Sequence, residues 1–285
     1  MTETPQPAGA PATAPKVITE LDGHVLIVTL NRPEARNAID LEVSKLIADA
    51  MMRADAEPQI RAVLVTGPGP APGTTTPKGR PIFCAGADLR AMGAGEETIP
   101  SEKPYDEWGF GGFTTKTPRV PVVVAATGSA YGGGTEVLLA GDVVIAERGS
   151  QFALPEVRHG LFAGGGGVYR TPAILGRAAA LDLLLTAEPI SAERAYELGM
   201  ISRLVEVGTA RQAGLEVART IARASPLAVA ETKRLARSLV DGVSTAERAI
   251  AAEADRAFRA IQQTEDFREG MRAFAEKREP SWPTP

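Results

Sequence analysis

The segment from Val120 to Glu147, "VPVVVAATGSAYGGGTEVLLAGDVVIAE", constrains the fold of this chain more than any other. Val120 to Gly128 is a β-branched run of the length and character of a buried strand. Ser129 to Glu147 then reads as a short helix followed by a second strand, with three consecutive glycines at the helix start. Glycine costs a helix interior about 0.5–1 kcal/mol relative to alanine, so Gly132, Gly133 and Gly134 need a reason to stand there. A backbone without side chains lets a ligand approach closely, and a helix N-terminus presents unpaired N–H groups that favour negative charge. A lone carboxylate, Glu136, follows at once. Strand, glycine turn, helix and strand make one unit of a layered α/β arrangement.

The rest of the chain supplies more of the same. Lys16 to Glu20 and His24 to Leu30 are β-branched runs separated by "LDG", a hairpin signal. In "LEVSKLIADAMMRADAEP", Val43, Leu46, Ile47, Ala50, Met51 and Ala54 recur at helical spacing, with Asp40 as N-cap. Arg61 to Gly67 is a strand. The loop "PGPAPGTTTPKGRP", residues 68–81, holds too much proline and glycine for regular structure. After "IFCAGADLRAM" comes a polar stretch, Gly93 to Thr117, whose Tyr105 and Trp108 read first as loop packing, with a lid as the alternative. From about Arg177 the character becomes helical. Ser191 and the pair Ser225–Pro226 have the form of helix starts, and "STAERAIAAEADRAFRAIQQ" and "TEDFREGMRAFAEKRE" supply the last two helices. No short-period repeat and no interdomain linker is visible. The expected organisation is a tail at 1–15, disordered because it is rich in Pro, Ala and Thr, an α/β core at 16–200 and a helical region at 201–285.

Charge and composition exclude several functions. With 31 Lys and Arg against 35 Asp and Glu, the net charge of −4 favours neither nucleic acid nor an anionic membrane. No apolar run is long enough to span a bilayer, and the first residues lack the pattern of a signal peptide, so a cytoplasmic protein is expected. One cysteine, Cys84, forbids an intramolecular disulfide, and with only His24 and His159 beside it no His/Cys metal site is expected.

Two short segments can aim backbone donors at one point: "CAGADL", Cys84 to Leu89, and the "GGG" helix start. Each alone is a tight turn; together, as two glycine-lined strand exits on one sheet, they make an oxyanion hole. The carboxylates follow the same logic. Alone, Glu136 is a carboxylate stabilised by a helix N-terminus, and Glu156, after Pro155 in "QFALPEVRHGLFAGGGG", is a solvated loop acid. Beside an oxyanion hole they become an acid–base pair in which like charge raises one pKa. The surroundings of Ser129 lack the spacing of a nucleophile elbow, no phosphate loop is present, and the glycine run Gly164 to Gly167 is no dinucleotide fingerprint. Cys84 reads as a small packed residue.

On these segments the chain resembles the crotonase family, the enoyl-CoA hydratase/isomerase superfamily. The similarity runs from about Lys16 to Arg278, and the matching stretches within it are "LNRPEARNAID", "FCAGADLRAM", "GSAYGGGTEVLLAGDVVIA", "FALPEVRHGLFAGGGGVYR", "ILGRAAALDLLLTAEPISAERAYELGMISRLV" and "EDFREGMRAFAEKREP". The resemblance implies an α/β spiral of repeated β-β-α units, with C-terminal helices that build a homotrimer or a dimer of trimers. It implies oxyanion N–H groups at Ala87 and Gly133, holding the thioester oxygen of an acyl-CoA as it becomes enolate-like. It places Glu136 as the base that deprotonates water and Glu156 as the acid, favouring hydration of a 2-enoyl-CoA. Coenzyme A, part of the substrate rather than a separate cofactor, would be met by Ala35, Arg36, Ala85, Asp88 and Arg90, with Phe274 and Lys277 reaching a neighbouring subunit's ligand. A double-bond isomerase, a specialised dehydratase and a retro-aldol lyase are the rival reactions, and an acyl-CoA-binding scaffold the rival without catalysis. Three departures from the family stand out: the long proline-rich loop at 68–81, Ala163 where proline is frequent, and Thr127 where asparagine is frequent.

Overall fold

The computed structural model describes residues 14–68, 79 and 81–283. The expected disordered tail, but for its last two residues, and nearly all of the loop at 68–81 therefore lie outside the described residues.

The chain opens with the expected hairpin, β1 (Val17–Asp22) and β2 (Val25–Leu30), with Val17 opposite Leu30 and Gly23 turning at a φ of +57°. Helix α1 (Leu41–Ala56) starts where Asp40 caps it, the Val43 N–H donating to Asp40 Oδ1 at 2.9 Å. It buries Val43, Ile47, Ala50, Met51 and Ala54, and Leu46 packs at the edge of the same cluster. The chain then steps repeatedly between two sheets. From β3 (Ala62–Thr66) it passes to β4 (Ile82–Cys84) and α2 (Leu89–Gly93). From β5 (Val122–Ala126) it passes to β6 (Ser129–Tyr131) and α3 (Gly133–Ala140), and from β7 (Val143–Glu147) to β8 (Gln151–Ala153). Because each step advances one strand in both sheets, β3, β5 and β7 pair in parallel, and so do β4, β6 and β8. This is a spiral of β-β-α units.

Helices α4 (Gly167–Leu175) and α5 (Arg177–Thr186) follow, then β9 (Ile190–Ser191), α6 (Ala192–Glu197) and β10 (Arg203–Val205). The last two strands complete sheets of order β1-β2-β3-β5-β7-β10 and β4-β6-β8-β9. The rest is α7 (Ala210–Arg223), α8 (Pro226–Ala236), a small hairpin β11 (Leu239–Val240) and β12 (Val243–Ser244), α9 (Arg248–Ile261) and α10 (Glu265–Glu276).

The central strands read as unbroken apolar runs because both faces of their sheet are covered. Leu26, Val28, Val63, Val65, Val122 and Val124 face the main core, while Val25, Ile27, Leu64, Val123 and Ile145 pack under α7. The buried Lys233 joins α8 to the core, its Nζ lying 2.8 Å from each of Asp142 Oδ2, Thr117 Oγ1 and the Val120 carbonyl.

Two local readings change. Ser129 to Tyr131 are strand rather than helix, since pairing between β4 and β8 claims them and Gly132, at a φ of +53°, ends the strand. The stretch from Gly93 to Thr117 is not polar throughout: Trp108 packs in the core, in line with its loop-packing reading, and Phe110 and Phe113 are buried with it.

Candidate active site

Parallel pairing of β4, β6 and β8 brings their three exits to one end of the second sheet, where open α/β sheets hold their ligands. The β4 exit runs from Cys84 to Asp88 and the β6 exit through Gly132 and Gly133. The β8 exit leads into the 3₁₀ turn Glu156–His159. Thr135 ties the second exit to the third, its hydroxyl donating to the carbonyls of Ala130 and Ala153 at 3.0 and 2.9 Å.

The first two exits touch. A Cβ on Gly86, whose φ is +94°, would lie 2.6 Å from the Tyr131 carbonyl oxygen and 3.0 Å from the Gly133 nitrogen. A Cβ on Gly133 would lie 3.3 Å from the Ala87 nitrogen and 2.6 Å from Phe110 Cζ. The Ala87 and Gly133 N–H groups therefore sit side by side, and neither donates a hydrogen bond among the described residues. Each of the three glycines has its own reason. Gly132 turns the chain at positive φ, Gly133 makes room for the Phe110 ring packed against it, and Gly134 lies against Cys84, where a Cβ would fall 2.5 Å from the carbonyl oxygen.

Glu136 enters from the first turn of α3 and is buried. Its Oε1 accepts the Gly167 N–H at 2.9 Å, and a Cβ on Gly165 would lie 2.6 Å from its Oε2. Burial pushes its pKa up to about 7, opposed by the Gly167 N–H and by the charge of Arg170. Glu156 lies on the facing turn, and a Cβ on Gly132 would lie 3.2 Å from its Oε1. It is not the solvated loop acid its position after Pro155 implied. Its Oε2 is buried with no hydrogen-bond partner, and burial, reinforced by the charge of Glu136, holds its pKa well above the ordinary value. The loop leaves water because α10 lies on it. A Cβ on Gly160 would fall 2.5 Å from the Asp266 carbonyl oxygen, and one on Gly270 would collide with the His159 carbonyl.

The expected coenzyme residues gather beside the first exit. The Ala85 N–H donates to the Arg36 carbonyl at 3.1 Å, and Arg32 Nη1 bonds Asp88 Oδ2 at 2.7 Å, joining the segment around Ala35 and Arg36 to the β4 exit. Asp88 Oδ1 caps α2 through the Arg90 and Ala91 N–H groups, so its carboxylate is already engaged. The side chains of Arg36 and Arg90 are exposed. Phe274 lies edge-to-face with His159 of the same chain, ring centroids 5.5 Å apart, and Lys277 is exposed at the end of α10, which packs on α2 and on the Glu156 turn. Cys84 is the packed residue it was read to be: its thiol donates to the Asn37 carbonyl and burial pushes its pKa up to about 12.

Sequence reasoning missed four contributors: Phe110, the pair Gly165 and Gly167 against Glu136, Arg170, and the docking of α10. Arg170 is buried, bonding Glu247 and the Thr114 carbonyl, each at 2.7 Å. The glycine-rich "WGFGGF" was the one visible signal for Phe110.

A family model described as enoyl-CoA hydratase/isomerase matches residues 20–285. Among curated proteins, a carnitinyl-CoA dehydratase of Salmonella arizonae is 36% identical over 266 residues, which cover 92% of this chain and 95% of that protein. Among solved structures, a carnitinyl-CoA hydratase from Mycobacterium avium is 40% identical with a TM-score of 0.87, covering 96% of this chain and 100% of that one. An enoyl-CoA hydratase from Mycobacterium tuberculosis is 38% identical with a TM-score of 0.71, covering 95% and 100%.

Proposed function

The chain belongs to the enoyl-CoA hydratase/isomerase family, and on that premise we propose that it adds water across the 2,3 double bond of a 2-enoyl-CoA to give a 3-hydroxyacyl-CoA, and catalyses the reverse dehydration. One observation carries this reading: a buried Glu136 and a half-buried Glu156 with one enclosed oxygen lie close enough for the charge of the first to act on the second, and their hydrogen bonding is unequal. Glu136 has an N–H donor and a nearby arginine, so it is the member that carries charge. Glu156 has an oxygen with neither, so it is the member that keeps the proton.

In the hydration direction a water held between them loses its proton to Glu136 while its oxygen bonds C3. The electron pair of the double bond moves toward the thioester, whose oxygen takes negative charge against the Ala87 and Gly133 N–H groups. Glu156 delivers its proton to C2, and a proton passing from Glu136 to Glu156 resets the pair. Ala35, Arg36, Ala85, Asp88 and Arg90 grip the coenzyme, mostly through backbone, and Phe274 and Lys277 on α10 reach the coenzyme of a neighbouring subunit. The assembly we propose is a homotrimer or a dimer of trimers. Leu185 on α5, Leu227 and Leu235 on α8 and Ile250 on α9 support it, since all four are exposed apolar side chains.

The names of the relatives, carnitinyl-CoA dehydratase and carnitinyl-CoA hydratase, support a second reading, in which the physiological substrate is carnitinyl-CoA and the reaction its dehydration. One assay tests both. Crotonyl-CoA hydration, followed by loss of the enoyl-thioester absorbance, is set beside dehydration of carnitinyl-CoA. Turnover of either supports the reaction, and the larger kcat/KM assigns the substrate. Turnover of neither contradicts the proposal.

A further inference from the structure

The Ala87 N–H is aimed from behind. It shares one planar trans peptide with the Gly86 carbonyl, so the two groups point in opposite directions. The Gly86 oxygen accepts the Ile39 N–H at 2.8 Å, and the Asp88 N–H donates to the Ile39 carbonyl at 3.0 Å. Ile39 and Ala87 thereby form a parallel bridge in which Ile39 engages the residues on either side of Ala87. While that bridge holds, the Ala87 N–H points away from Ile39, and among the described residues no acceptor takes it up.

The bridge needs an anchor, because β4 is the edge strand of its sheet and β6 pairs with it on one side only. Residues 36–39 cover the other side without forming a strand of their own. Arg36 and Asn37 both stand at a φ of +54°, so the chain turns just before it reaches Ile39. At this turn Asn37 does with its side chain what a paired strand does with its backbone. Its Nδ2 donates to the Phe83 carbonyl on β4 at 3.0 Å, and its Oδ1 accepts the Arg32 N–H at 2.9 Å. Its own carbonyl accepts the Cys84 thiol at 3.1 Å. Asn37 is buried, and asparagine is among the few residues that tolerate positive φ. An apolar side chain here would strand the Phe83 carbonyl and the Arg32 N–H together.

We propose that Asn37 is a positioning residue of the oxyanion hole: by fastening the turn at residues 36–39 to β4 it keeps Ile39 opposite Ala87 and so sets the direction of the Ala87 N–H. This rests on the reading of the Ala87 and Gly133 N–H groups as oxyanion donors, but not on which acyl-CoA reaction follows. Loss of an oxyanion donor costs about 10²–10³-fold in kcat, so a donor turned out of line should cost part of that on any ligand whose thioester oxygen carries charge.

The test uses acetoacetyl-CoA, a thioester that ionises to an enolate with its own near-ultraviolet band, and free CoA, which has no thioester oxygen. Kd for each is measured at pH 8 on the parent, Asn37→Gly and Asn37→Asp. The glycine variant keeps the positive φ and loses both side-chain bonds. The aspartate variant keeps an acceptor for Arg32 and sets a second acceptor against the Phe83 carbonyl. The parent should show the enolate band on binding acetoacetyl-CoA. In both variants the band should weaken, and affinity for acetoacetyl-CoA should fall about tenfold or more beyond any loss for CoA. If Asn37→Gly does not fold, Asn37→Asp carries the comparison. Equal losses for the two ligands, or a band of the parent's strength, overturn the inference and leave Asn37 a support of the fold. A parent that shows no enolate band overturns the oxyanion reading itself, and the inference with it.

Discussion

Glu136 and Glu156 are close enough for the charge of one to act on the other, yet they are held by different parts of the molecule. Glu136 belongs to α3, deep in the spiral, where Gly165 and Gly167 come up against its carboxylate and one N–H binds it. Glu156 opens a short 3₁₀ turn, and the far side of that turn is covered by α10 from the other end of the chain. The first carboxylate is placed by its own helix, the second by tertiary packing. Donors and a nearby arginine collect at the first carboxylate, whereas one oxygen of the second has no partner.

The sharpest way to break this comparison is to remove either carboxylate. Glu136→Gln and Glu156→Gln should each lower kcat by about 10²–10⁴-fold. KM should change little, because the coenzyme is gripped elsewhere. The double variant should be far less than multiplicatively worse, since the two act as one unit. Steady-state kinetics on crotonyl-CoA checks all three. Equal rates in the parent and either single variant contradict the pairing.

A smaller effect should separate the two supports. Gly270→Val drives a side chain into the His159 carbonyl and shifts the Glu156 turn, and misplacement by about 1 Å can cost up to about 10²-fold in kcat. In a Glu156→Gln background the same change should cost little more, whereas in a Glu136→Gln background it should still be felt. Equal losses in both backgrounds would mean that α10 supports the site as a whole.

Stability should respond in the opposite direction to activity. A carboxyl whose folded-state pKa is raised binds its proton more tightly in the native state. The stability it contributes is present below the unfolded value near 4.5 and is lost as pH rises, for Glu136 through about 7. Glu156→Gln removes this loss. The variant should melt about 2–4 °C above the parent at pH 8, the shift that about 1 kcal/mol produces in a large domain, and the gap should close toward pH 5. A variant less stable than the parent at pH 8 contradicts the assignment of a raised pKa.

The smallest expected effect lies away from both glutamates. Ser191 Oγ accepts the Arg194 N–H at 3.2 Å and caps α6. Ser191→Ala should cost about 0.5–2 kcal/mol in denaturant unfolding and leave kcat and its pH profile unchanged. A change in the pH profile would show that this distant cap communicates with the pair.

What could be read in the sequence follows the same division. The β2, β3 and β5 runs, the Asp40 cap and the glycine start before Glu136 were legible because their causes lie within a few residues. The strand Ser129–Tyr131 was hidden, because only β4 and β8 on either side make it a strand. The burial of Glu156 was hidden too: its cause, Asp266 and Gly270 on α10, lies more than a hundred residues away in sequence. Phe110 was lost in a stretch read by its polarity, although its glycine neighbours are what let the ring reach Gly133.

The division of labour within the pair is tested most directly by isotope exchange on a substrate with no hydroxyl to lose. Butyryl-CoA is incubated in D2O at pH 8 and the loss of its C2 protons is followed by NMR. If Glu156 exchanges a proton with C2 and Glu136 handles only water, the parent and Glu136→Gln should both exchange those hydrogens, while Glu156→Gln should not. Exchange by Glu156→Gln at the parent's rate, with none in Glu136→Gln, would contradict the account.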